Sequence, residues 1–248
     1  MNKILVFIPT FNEKENAAIL CKQLLNLSLI FDILFLDDNS PDGTGQIIDQ
    51  LCQNFKNISV IHRTEKKGIG SAHMEGIKWA YDHKYDVLIT MDCDFTHPPE
   101  YIPSLIDKAK DCDIVIGSRY LQKDSLKEWN VYRKILTNLA HFLTKSMLQM
   151  DYDATGAFRL YQLNNIPQSI FKKITSMSYS FFFESLYILF INNYRIVEIP
   201  INLPARAYGH SKMQFKDAFR SLYLLFKTFF RKIFFKSSIL DTNNEQSL

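Results

Sequence analysis

The residues with the clearest chemical potential are Asp92 and Asp94, within Met91-Asp92-Cys93-Asp94-Phe95-Thr96-His97-Pro98-Pro99-Glu100. They follow Tyr85-Asp86-Val87-Leu88-Ile89-Thr90, an apolar run that reads as a buried strand reaching its C-terminal end. Side chains on a strand alternate, so two carboxylates one residue apart point to the same side and face one ligand together. Like charges that close are unfavourable unless a cation lies between them, and a hard divalent ion with oxygen ligands is the usual solution. Such an ion keeps few carboxylates and takes its other ligands from water and phosphate, which points to a diphosphate. Pro98 and Pro99 suit the first turn of a helix and would fix the corner. A solvated turn is the competing reading.

Four further clusters carry polar chemistry. Lys66-Lys67-Gly68-Ile69-Gly70 is either a tight turn alone or a turn that brings a helix N-terminus to a phosphate. It lacks the third glycine and the position of a dinucleotide fingerprint, and there is no P-loop motif. Arg119 and Arg133 can contribute to one basic patch, and Arg206-Ala207-Tyr208-Gly209-His210-Ser211-Lys212 is a solvated loop or an anion clamp. Glu184 sits in a strongly aromatic segment, where a buried carboxylate needs a partner, and the residues themselves favour a structural role for it.

The elements that must position these groups alternate as in a parallel α/β unit. Strands are expected at Lys3–Ile8, Ile33–Leu36, Ile58–His62, Tyr85–Thr90, Ile114–Ile116 and Arg195–Ile201. Helices are expected at Glu15–Leu27, Ile47–Phe55, Ser71–Tyr81, Ile102–Lys110 and Tyr179–Phe190. A helical pattern also runs from Lys123 to Gln149. Its stripe of Trp129, Tyr132, Ile135, Leu136, Leu139, Phe142 and Leu143 reads as core-facing, while Asp151–Arg159 reads as a loop. The polar clusters follow strands, and open α/β sheets bind ligands beyond the carboxyl ends of their strands. Phe215–Phe235 puts Phe215, Phe219, Leu222, Phe226, Phe229, Phe230 and Ile233 on one face, with Lys216, Arg220, Lys227 and Arg231 beside it. A basic amphipathic helix of this kind suits an anionic membrane surface, the alternative being a helix docked on the domain or on a partner.

A chain of 248 residues, 47% hydrophobic and 14% aromatic, can bury a sizeable core and is not disordered. Its net charge of +3 does not argue for nucleic acid. Cys21, Cys52, Cys93 and Cys112 show no zinc spacing and read as reduced thiols in a cytosol-like compartment. No apolar stretch is long enough for a membrane span, so a cytoplasmic protein, peripheral on the cytoplasmic face of a membrane, is expected.

With these residues in view, the chain resembles family 2 glycosyltransferases of the dolichyl- or polyprenyl-phosphate mannose synthase type. The likeness runs from about Ile4 to Met213. It rests on Pro9–Glu13, Asp37–Thr44, Lys67–Gly70, Asp92–Pro99, Gly117–Tyr120, Asp153–Tyr161 and Tyr208–Met213, taken in order. The resemblance implies a GT-A-type, Rossmann-like, mostly parallel sheet flanked by helices: a catalytic domain over residues 1–213, an amphipathic membrane-surface helix over 214–236 and a flexible tail over 237–248. It implies that Pro9, Phe11, Glu13, Asp38 and Asp92 hold the donor nucleotide, most often GDP-mannose. Asp92, Asp94 and Thr96 would hold Mg²⁺ or Mn²⁺, and Arg119, Arg133, Arg206, Ser211 and Lys212 would grip the phosphate of a lipid acceptor. Asp94, Arg119 and Arg133 would be the catalytic set. The chain departs from the family pattern in lacking paired glycines after Arg119-Tyr120 and in having Asn138 where a further arginine is common.

The implied activity is inverting transfer of a sugar onto a polyprenyl or dolichyl phosphate, with no nucleic-acid partner and an undefined membrane subunit. Two alternatives stand beside it. A saccharide acceptor would need a carboxylate base, with Asp153 or Glu184 the candidates, and a non-enzymatic nucleotide-sugar-binding protein would need none.

Overall fold

The computed structural model describes residues 2–127, 129, 131–204, 215–234 and 239–240, without the side chains of Tyr132, Arg133 and Phe215. Seven strands form one sheet in the order β3-β2-β1-β4-β6-β5-β7. They are β1 (Ile4–Thr10), β2 (Asp32–Asp37), β3 (Ile58–His62), β4 (Val87–Thr90), β5 (Ile114–Ser118), β6 (Arg159–Gln162) and β7 (Ile196–Pro200). Only β6 runs antiparallel to its neighbours, β4 and β5. The helices are α1 (Lys14–Leu25), α2 (Thr44–Asn54), α3 (Ile69–Asp82), α4 (Ile102–Lys108), α5 (Val131–Leu148), α6 (Gln168–Phe171), α7 (Phe181–Ile191) and α8 (Phe215–Phe234).

Alternation along the strands feeds two cores. Leu5, Phe7, Leu34 and Leu36 face the layer of α3, α6 and α7. Val6, Ile8, Ile33 and Phe35 face the layer of α1, α2 and α4. Both faces are covered, which is why these strands read as continuous apolar runs. Helix α7 is buried from Phe181 through Leu189, as a helix apolar on all sides must be.

Three expectations are corrected. The loop read over Asp151–Arg159 ends at Phe158, and Arg159 opens a strand that was not expected, β6, in which it pairs with both Thr90 and Ile116. Four residues with one arginine carry too little alternation to announce a strand, and only its two neighbours stabilise it. The helix expected from Lys123 starts at Val131, residues 121–127 being turns and bends. Most of its apolar stripe is not core: Ile135, Leu136, Leu139 and Phe142 are exposed, whereas Trp129 is buried and Leu143 packs against the core. Helical periodicity reveals that an apolar face exists but not what covers it.

Helix α8 packs inward through Leu225 and Phe229 while Phe219, Tyr223, Phe226, Phe230, Ile233 and Phe234 stay exposed. It touches α5, and Lys232 Nζ donates to Gln149 Oε1 at 2.8 Å. Within the expected tail, Ile239 is buried and its carbonyl accepts from Asn192 Nδ2 at 2.9 Å. Among the described residues no helix is long and apolar enough to cross a membrane.

Candidate active site at the carboxyl edge of the sheet

Strand β4 stops at Thr90, so Asp92 and Asp94 lie on the turn beyond it, closed by Phe95 at φ 64°. Met91 and Cys93 point into the core. The carboxylates are therefore left at the edge, although turn geometry rather than strand pleat now presents them. Asp94 is buried, and its Oδ1 accepts from the Thr96 amide at 3.1 Å and the Thr96 hydroxyl at 2.6 Å. Thr96, expected beside a metal, thus spends its hydroxyl on orienting Asp94.

His97 escaped the sequence reading as a separate player. The Asp92 amide donates to its Nδ1 at 2.9 Å, so Nδ1 carries a lone pair and the ring is neutral with its proton on Nε2. Burial pushes the His97 pKa down against the opposing pull of Asp92 and Asp94. Its ring stacks on Phe158 with centroids 5.3 Å apart. A neutral, clamped imidazole holds the backbone of the acidic corner without adding charge to it.

Arg119 comes from the turn after β5 and is buried with Asp153, whose side chain is 0% exposed. Asp153 Oδ2 accepts from Arg119 Nε at 2.7 Å and from the Arg119 amide at 3.1 Å. Burial is the largest single influence on the Arg119 pKa and pulls it down, but the charge and hydrogen bond of Asp153 together with Tyr120 and Asp92 raise it overall. The charge of Asp92 acts on the same guanidinium, and His97 feels Asp92, Asp94, Arg119 and Asp153 together. The acidic corner and the buried cation therefore form one electrostatic unit. Gly156 makes room for it, since a Cβ there would stand 3.1 Å from Arg119 Nη2. Arg159 secures this loop from below by donating to the carbonyls of Gly156 and Ala154 at 2.9 Å.

The expected donor residues gather at the ends of β1 and β2. Glu13 is buried, its Oε2 accepting from Asn16 at 2.6 Å, while Pro9 and Phe11 are half-buried beside it. Lys66 Nζ lies 3.9 Å from the centre of the Phe11 ring. Asp38 accepts from Arg63 Nη1 at 3.0 Å, and burial pushes its pKa up against the counter-pull of Arg63. Arg63 also bridges to Glu75 at 2.9 Å, a brace not legible in sequence because its partners lie on β2 and α3.

Of the expected acceptor-phosphate residues, Arg119 is the one whose side chain is among the described residues. The Arg133 side chain, Arg206, Ser211 and Lys212 lie outside the described residues. Beside Arg119 opens a cavity of about 310 Å³ whose wall includes Lys127, Lys134 and Asn138. Tyr120 stacks on His141 of α5 with centroids 3.9 Å apart, and its hydroxyl donates to the Thr137 carbonyl at 3.1 Å. The helix with the exposed apolar face thus abuts the residue next to Arg119.

The family model for glycosyl transferase family 2 matches residues 5–168. The chain belongs to glycosyl transferase family 2. This family 2 glycosyltransferase is 34% identical over 212 residues to the undecaprenyl-phosphate mannosyltransferase of Micrococcus luteus, covering 85% of this chain and 87% of that protein. It is 33% identical to the polyprenol monophosphomannose synthase of Mycolicibacterium smegmatis, with 85% and 81% covered. The dolichol-phosphate mannosyltransferase of Pyrococcus furiosus is 34% identical, with 91% of this chain and 64% of that protein covered. The fold is shared with glucosyl-3-phosphoglycerate synthase of Mycobacterium tuberculosis, solved with Mn²⁺, UDP and phosphoglyceric acid: TM-score 0.63, 16% identity, 92% and 78% covered. It is also shared with a mannosyltransferase of Pyrobaculum calidifontis, solved with GDP-Man and Mn²⁺: TM-score 0.52, 14% identity, 84% and 59% covered.

Proposed function

We propose that this enzyme transfers mannose from GDP-mannose to a polyprenyl or dolichyl phosphate, at an anionic membrane surface, with inversion at C1. The observation that carries the reading is the burial of Arg119 within electrostatic reach of Asp92, beside a cavity of about 310 Å³ whose wall includes Lys127 and Lys134. Pro9, Phe11, Glu13 and Asp38 hold the nucleotide. Arg119, Arg133, Arg206, Ser211 and Lys212 hold the acceptor phosphate, with Lys127 and Lys134 adding to them and offsetting Asn138.

The all-oxygen donor set of Asp92 and Asp94 fits a hard ion, and His97 does not compete because its Nδ1 is taken by the Asp92 amide. Asp92 and Asp94 would hold Mg²⁺ or Mn²⁺, which would supply charge neutralisation for the diphosphate leaving group. The chain's own part is positional and electrostatic. The acceptor monoester is mostly ionised near neutral pH, its second pKa being about 6, so no general base is needed. Arg119, held rigid by Asp153, orients the phosphate oxygen and offsets the repulsion between two anionic substrates. Two observations weigh against the candidate bases of the saccharide-acceptor alternative: Asp153 is fully buried with Oδ2 on Arg119, and Glu184 accepts from the Thr175 and Ser176 amides at 3.1 and 2.7 Å.

The membrane assignment rests on α5 and α8. Together they carry eight basic residues against Asp217 alone, a net +7 in a chain of total +3, so the remainder carries −4. Basic charge and exposed aromatics on one surface match a negatively charged lipid interface, whereas two copies of this surface would repel.

The test is full-length protein with Mn²⁺, labelled GDP-mannose and a short polyprenyl phosphate. Label is expected in the organic extract, excess chelator is expected to abolish it, and Asp94→Ala is expected to lower turnover by about 100-fold or more. Label appearing only in water-soluble glycan would refute the acceptor, and full turnover in chelator would refute the metal.

A further inference from the structure

Glu184 is a buried carboxylate that the proposed reaction does not use, 2% exposed in the first turn of α7. Its oxygens accept from the Thr175 amide at 3.1 Å, the Thr175 hydroxyl at 2.8 Å and the Ser176 amide at 2.7 Å. The fourth donor is Arg231 Nη1 of α8 at 3.3 Å. A hydrogen bond between Ser180 and Ser221 at 3.2 Å joins α8 to the start of α7, four residues from Glu184 and ten from Arg231.

The residues after Ser176 form the seat for the turn that opens α3. Met177 O accepts from the Ser71 amide at 3.2 Å. A Cβ on Gly68 would stand 2.8 Å from Met177 O, and one on Gly70 would stand 2.7 Å from Met177 C and 2.8 Å from Ser178 O. The two glycines are thus explained by close approach of backbone to backbone. The segment leading into the turn carries Lys66, over the Phe11 ring at 3.9 Å, and Arg63, on Asp38 at 3.0 Å. An unbroken line of contacts runs from α8 through Arg231, Glu184, the 175–178 segment and Gly68–Gly70 to the residues assigned to the nucleotide.

We propose that Glu184 is a positioning residue for the donor site, and that Arg231 makes donor affinity depend on the seating of α8. This rests on the reading that Phe11 and Asp38 hold the nucleotide and that α8 meets lipid. A lipid surface that engages the exposed aromatic face favours the seated helix, because an undocked α8 presents that face in no fixed orientation. Seating presents Arg231 to Glu184, which holds the 175–178 segment and through it the Gly68–Gly70 turn. The coupling is reciprocal by thermodynamic necessity: vesicles tighten GDP-mannose binding by the same factor as GDP-mannose tightens vesicle binding.

The experiment measures GDP-mannose affinity by calorimetry on the full chain with Mn²⁺, with and without vesicles of phosphatidylserine and phosphatidylcholine. Parent protein is expected to bind GDP-mannose roughly twofold to thirtyfold more tightly with vesicles, the range of mutational couplings between linked sites. Arg231→Met is expected to bind vesicles, through the other basic residues of α8, yet lose the tightening, and Arg231→Lys to recover part of it. Glu184→Gln is expected to weaken GDP-mannose binding in both conditions, because it removes the charge that holds the Thr175 and Ser176 amides and, with its oxygen kept on them, turns an N–H group toward Arg231 Nη1. A vesicle effect unchanged in Arg231→Met, or absent in the parent, overturns the proposal even if Glu184→Gln fails to fold. Failure of the parent to bind GDP-mannose at all would instead overturn the donor assignment, and this inference with it.

Discussion

Asp153→Asn separates a structural carboxylate from a catalytic base. Asparagine keeps the shape and leaves an acceptor facing the Arg119 amide and Nε, which now lie 3.1 and 2.7 Å from Asp153 Oδ2. What the substitution removes is charge, in a pair whose side chains are 8% and 0% exposed. Two unit charges about 4 Å apart at an effective dielectric of about 20 attract by about 4 kcal/mol. Stranding one member of a buried pair costs about 3–5 kcal/mol by measurement on other proteins. A loss of about 3 kcal/mol is therefore expected, which at about 2–4 °C per kcal/mol for a chain this long lowers Tm by roughly 6–12 °C. Thermal and urea unfolding followed by circular dichroism read it directly. The double substitution Arg119→Met with Asp153→Asn is expected to recover much of the stability, since no charge is then stranded. In the transfer assay Asp153→Asn raises the KM for the lipid phosphate, because the guanidinium is no longer fixed. Stability unchanged within about 0.5 kcal/mol together with a collapse of kcat would refute this account and reinstate Asp153 as a general base.

His73 packs between Phe7, Phe181 and Phe182, and burial pushes its pKa down to about 3. The unfolded chain binds this proton below about 6.5 and the folded chain only near 3, so stability falls as pH drops through that window. At pH 5 the loss is about 2 kcal/mol, and His73→Phe is expected to flatten the pH dependence of urea midpoints there; an unaltered slope would count against it. For the lipid surface, co-sedimentation with anionic vesicles is expected to weaken as salt shortens the screening length from about 10 Å to about 3 Å. The exposed pair Leu136→Glu with Phe226→Glu is expected to abolish co-sedimentation without lowering Tm. Undiminished binding by that variant would remove α5 and α8 from the interface.

The alternation of buried strands with amphipathic helices was legible along residues 3–118, because runs such as Leu5–Ile8 and Ile33–Leu36 are short, apolar and bounded by turn formers. The acidic corner was legible too, since Asp92 and Asp94 stand together after such a run. So was the need of Glu184 for polar partners, because a carboxylate in the apolar run Phe181–Ile191 has to be paired. Tertiary structure alone decided who those partners are. Asp153 meets Arg119 and Glu184 meets Arg231 across 34 and 47 residues of chain, separations at which pairing leaves no local periodic signal. It also decided that β6 exists, since that strand is held by two neighbours rather than by its own composition. Likewise it decided that the apolar stripe of α5 faces outward beside α8 instead of inward. Local sequence sets which groups a segment offers, through period, propensity and turn chemistry. What each group meets is settled only when distant segments compete for the same buried space.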